Sequence, residues 1–141
     1  MCEEMKRDVM KVYREECRNY DGILQTEIYQ RTVSHPAPRF YVNAKSALRY
    51  ISPMMRGDRS ALDSMKPLRR EMYEVLFEVV LKLSQKERFW GESIYSILRQ
   101  AVMEPAPRFY IDEKRMGQIF MSQQEKDKRR RRGMEHKYRR N

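Results

Sequence analysis

Glycine is scarce in this chain, at five of 141 residues, and no stretch is rich in it. Loops that cradle phosphates need clustered glycines whose backbone can approach the ligand, so nucleotide sites of that kind are excluded. Cysteine and histidine are scarcer still: Cys2, Cys17, His35 and His136 are the full set. Their spacing fits no metal centre, and neither a zinc site nor a disulfide framework is expected. Cys17 instead suits a small core hydrophobe. No apolar run approaches the roughly 20 residues that a membrane helix needs. The best stretch, Val75 to Leu83, is broken by Glu78 and Lys82. The opening Met-Cys-Glu-Glu-Met-Lys-Arg lacks the apolar region of a secretory signal, so a cytoplasmic protein without membrane contact is expected.

Catalytic machinery is missing in the same way. No serine or cysteine stands in a nucleophile motif, and there is no P-loop or dinucleotide fingerprint. The adjacent acids Glu3-Glu4 and Glu15-Glu16 point apart on a helix and read as solvated surface. The expectation is a protein that is not an enzyme, with no catalytic residues, no metal and no cofactor.

What the chain does have is charge, unevenly placed. Charged residues make up 35% of the chain and the net charge is +10, while the 40% apolar content is enough for a folded core. Residues 126–141 hold nine basic side chains (Lys126, Lys128, Arg129, Arg130, Arg131, Arg132, Lys137, Arg139 and Arg140) against Asp127 and Glu135. That segment carries +7 and leaves +3 for residues 1–125, so a nearly balanced body bears a cationic arm. Clustered cations of this kind mark contact with polyanions. Arginine outnumbers lysine in the arm, six to three, and its planar fork binds phosphate bidentately. The arm lacks the Leu/Trp face of a membrane-surface helix.

The second positive feature is a repeat. Pro36-Ala37-Pro38-Arg39-Phe40-Tyr41-Val42 returns 69 residues later as Pro105-Ala106-Pro107-Arg108-Phe109-Tyr110-Ile111. Without a gap, ten of 24 positions agree between Gly22–Lys45 and Gly91–Lys114. A duplicated module is the reading. Within it, two prolines stop a helix and hold the chain extended. Arg-Phe-Tyr-Val suits a short strand, with Phe40 and Val42 on one face and Arg39 and Tyr41 on the other. Asn43 and Asp112 then suit helix N-caps.

Apolar spacing predicts helices over Asp8–Arg18, Ile23–Ser34, Ala44–Ile51, Leu68–Gln85 and Glu92–Met103, and a last one from Glu113 that coasts on to about Gly133. The Leu68–Gln85 helix should be the most buried, with a stripe of Leu68, Met72, Val75, Leu76, Val79 and Leu83. The expected fold is mainly α. Residues 1–125 form one helical domain of two three-helix halves, about 5–53 and 67–125, related by a pseudo-twofold axis. Arg39–Val42 and Arg108–Ile111 are placed to pair as a short antiparallel ribbon, and residues 126–141 form a basic C-terminal tail.

The function expected is nucleic-acid binding, architectural or regulatory, to DNA or RNA. It would use the nine arm cations and a twofold surface of Arg39, Tyr41, Arg108 and Tyr110, which could enter a groove or stack bases. The alternative is a structural component of a larger complex, with a protein partner or a second copy, whose arm meets nucleic acid or an acidic partner.

Overall fold

A computed structural model describes residues 3–20, 22 and 24–139; for residues 135–139 it describes the helical backbone alone. The fold is mainly helical: α1 (Glu3–Asn19), α2 (Gln25–Ser34), α3 (Ala44–Met55), α4 (Pro67–Ser84), α5 (Ile94–Ala101) and α6 (Glu113–Arg139). Single turns of 3-10 helix at Ser60–Leu62 and Glu87–Phe89 flank α4. No helix among the described residues is long and apolar enough to cross a membrane.

Local chemistry sets the helix ends. The Asn43 side chain accepts hydrogen bonds from the amides of Lys45 (2.8 Å) and Ser46 (3.3 Å) and so starts α3. Asp112 does the same for α6 through the Arg115 amide at 2.7 Å. Pro67 opens α4, where the missing N–H costs nothing. Gly22 and Gly91, partners in the repeat, both have φ +82°, a left-handed conformation that glycine adopts without the Cβ clash. Helix α3 runs on through Pro53 to Met55 instead of closing at Ser52-Pro53. A proline so near a helix end forfeits one amide bond without breaking the turns before it.

Packing crosses between the halves. Helix α1 lies on α2 and α4 on α5, whereas α3 packs on α4 and α5, and α6 on α1 and α2. One core results, from Met5 and Val9 on α1 through Phe40, Ile51, Leu76 and Leu98 to Met116 on α6. The buried face of α4 is Tyr73, Leu76, Phe77, Val80 and Leu83. It is rotated from the expected stripe, and Leu68, Met72, Val75 and Val79 are only half-buried. Glu71, Glu74, Glu78 and Lys82 recur along the opposite side of α4, and this polar row marks the phase that the apolar stripe misplaced.

The expected ribbon does not form. No strand occurs among the described residues, and the antiparallel pairing is one bridge, Ala37 to Ala106, with both amides donating at 2.9 Å. Beyond it, each chain turns to the other half: the Phe40 amide donates to Val102 O (2.9 Å) and the Phe109 amide to Val33 O (3.3 Å). Tyr110 has φ +59°, outside the extended region, which breaks the alternation a strand requires.

Candidate nucleic-acid interface

The arm is part of α6. The helix has 27 residues and crosses position 126 without a break, so it is about 40 Å long. Met116 and Ile119 are buried in the core, and the Phe120 ring stands 5.1 Å from that of Tyr13. Six residues on, Lys126 Nζ meets Glu3 at 3.3 Å, at the first turn of α1. The two helices therefore run antiparallel, and α6 continues past the start of α1. The Lys126 ammonium holds the Glu3 carboxyl below its ordinary value, chiefly by the hydrogen bond itself.

After Lys126 the helix carries Lys128, Arg129, Arg130, Arg131 and Arg132, all exposed. Successive residues are about 100° apart round a helix, so these five cations encircle it. None forms an ion pair with a described residue. Lys137 and Arg139 lie on the helical backbone of α6, with side chains outside the described residues, and Arg140 lies outside them altogether.

Along the turns of α6 that precede the arm, α1 adds a cationic face that sequence reading missed. Arg7, Lys11, Arg14 and Arg18 are all exposed, and their spacing of four, three and four places them along one side of the helix. Lys6, Arg7 and Arg14 share a surface cleft with Gln123 of α6. The spacing was a readable signal, hidden among the acids that balance the charge of α1.

The repeated segments sit elsewhere. Arg39, Tyr41, Arg108 and Tyr110 line one cleft of about 440 Å³, together with Arg69 from α4. They do not project outward as an alternating strand would have them. Arg39 is 22% exposed and pairs with Glu4 at 3.3 Å, while its Nε donates to Phe40 O at 3.2 Å. Arg108 is 31% exposed and pairs with Glu71 at 3.8 Å. The Tyr41 hydroxyl donates a hydrogen bond to the Asp8 carboxylate. Burial, this bond to a carboxylate and the nearby negative charge push the Tyr41 pKa far above the ordinary tyrosine range. Burial, with Glu71 behind it, pushes Tyr110 up to about 12.

Phe40 and Phe109 are buried, as period two expects. The rings stack crosswise between the segments: Phe40 on Tyr110 at 6.3 Å and Tyr41 on Phe109 at 6.1 Å, each pair nearly parallel. Two helix-borne carboxylates hold the arginines in, so tertiary contacts override strand alternation here.

No protein-family model matches the chain, and no curated protein or solved structure matches it. The residues themselves are the basis for any reading of function. No cluster of potential metal ligands occurs among the described residues.

Proposed function

We propose that this protein binds nucleic acid through the cationic stretch of α6, extended by the basic face of α1, and that it is not an enzyme. The observation that carries the reading is the row of five exposed cations, Lys128 to Arg132, unpaired among the described residues and set on a helix that outruns the core. Like charges three and four residues apart destabilise an isolated helix. A row of phosphates would relieve that repulsion while releasing counterions.

The body is proposed to be a duplicated unit of two three-helix halves about a pseudo-twofold axis. The 69-residue offset and the matched contacts of the two proline segments support it. Binding to B-DNA changes the logarithm of the affinity by roughly 0.9 per phosphate for each tenfold change in salt. Deleting residues 126–141 is therefore expected to flatten the slope by at least about four units, the share of the five exposed cations, and to weaken binding at fixed salt. Equal slopes for the full and shortened chains would refute the reading.

A second reading, a component of a larger assembly, is favoured by exposed large apolar groups, Leu24 at 70% and Trp90 at 66%. Partners that survive nuclease treatment in a pulldown from the native host would support it.

A further inference from the structure

We infer that the cleft between the two proline segments binds a small aromatic monocarboxylate, as a site separate from the basic arm. Its volume of about 440 Å³ falls within the roughly 300–1,000 Å³ usual for small-molecule sites. Its walls are flat and apolar: the Phe40–Tyr110 and Tyr41–Phe109 stacks, with Met5 and Met72 from α1 and α4. Such walls suit an aromatic ring.

The charge of the site sets the charge of the ligand. Three guanidiniums line the cleft, from Arg39, Arg69 and Arg108, and no carboxylate does. Two of the three are opposed from outside the lining, Arg39 by Glu4 and Arg108 by Glu71. Asp8 adds a further acid behind Tyr41. Arg69 has no carboxylate within ion-pair distance among the described residues. Its Nη2 donates to the Tyr50 hydroxyl at 3.3 Å, and its guanidinium lies over the Tyr50 and Tyr73 rings. A ligand with one negative charge gives this cation a partner, and a polyphosphate would crowd the acids already present. The planar fork of arginine matches a carboxylate.

A difference between the halves shows where that carboxylate binds. In the first half, Arg39 Nε and the Tyr41 hydroxyl both have acceptors, Phe40 O and Asp8. In the second, Arg108 Nε and the Tyr110 hydroxyl are buried without any. One helical turn beyond Glu4 stands Asp8; one turn beyond Glu71 stands Val75. The second half lacks the internal acid that the first half has, and buried donors left unpaired are costly. Both donors belong to residues that line the cleft with Arg69, so a carboxylate paired with Arg69 is the acceptor that this half lacks.

The test is a titration of the full chain with 2-naphthoate, followed by naphthoate fluorescence, beside the neutral 2-naphthamide. Saturable one-to-one binding of naphthoate, weakened at least about tenfold in Arg69→Met, is expected. Arg69 is exposed, so this variant should keep its fold, and its melting temperature checks that. Tyr110→Phe should also weaken binding, while deletion of residues 126–141 should leave it unchanged. The inference is overturned if naphthoate does not saturate, if naphthamide binds as tightly, if Arg69→Met binds like the parent, or if deleting the arm abolishes binding. Loss of nucleic-acid binding in the arm deletion with naphthoate binding retained would keep the two sites distinct.

Discussion

Phe40 and Arg39 are neighbours with different roles, and substitution should separate them. Phe40 is 1% exposed, so Phe40→Ala should cost roughly 3–5 kcal/mol, and Phe109→Ala about as much. Arg39→Ala removes a half-buried ion pair and a carbonyl contact, for a loss of about 1–2 kcal/mol. Urea denaturation of the four single alanine variants at Phe40, Phe109, Arg39 and Arg108 should give that order; equal losses would mean that the arginines are as integral as the rings. The tyrosines make a second prediction. Tyr110 is an acid whose pKa rises on folding, so folding favours its protonated form. Its contribution is complete below the unfolded value of 10.0 and fades as the pH rises through about 12. Stability should therefore fall across that alkaline window, and Tyr110→Phe should remove one late-ionising group from an ultraviolet titration. A full set of tyrosines ionising near 10.0 would contradict the burial seen at Tyr110.

Among the elements, α4 and α6 mark the two limits of what could be read from sequence. The existence of α4 was plain from Pro67 and the apolar content after it, but the expected stripe passed over Glu71, Glu74, Glu78 and Lys82, whose row sets Val75 beside the polar side and Phe77 away from it. The fold places Leu76 at 0% exposure and leaves Val75 half-buried. Leu76→Asp should abolish cooperative folding, because an unpaired buried charge costs several kcal/mol, while Val75→Asp should be milder. Circular dichroism melts compare them, and equal effects would put α4 back in the expected phase. Helix α6 was legible as far as Phe120 from Met116 and Ile119, and its continuation followed from the absence of a breaker before Gly133. The ribbon failed for a reason no local pattern shows. Glu4 and Glu71 draw the arginines inward, and a left-handed Tyr110 ends the extended run. Arg69 was missed because only the tertiary fold brings the start of α4 beside both proline segments. The matching ion-pair partners Glu4 on α1 and Glu71 on α4 were also hidden, since they are 67 residues apart instead of 69.

For the molecule as a whole, the arrangement of the third helices matters most. Since α3 packs on α4 and α5, and α6 on α1 and α2, neither half closes its own core. A fragment of residues 1–66 should therefore associate in pairs, each copy lending its α3 to the other where the intact chain uses α6. Sedimentation across a range of concentrations would detect the pairing, and a stable helical monomer would show that one half suffices.

The same exchange sets an order of events during synthesis. Helices α1 and α2 leave the ribosome before α6, yet the surface that covers them belongs to α6. Until then their apolar faces are open to chaperones and to other nascent chains. The cationic stretch of α6 emerges directly behind the turns that seal the core. By the time that stretch is free to meet a polyanion, the buried residues from Met5 to Ile119 have all been made.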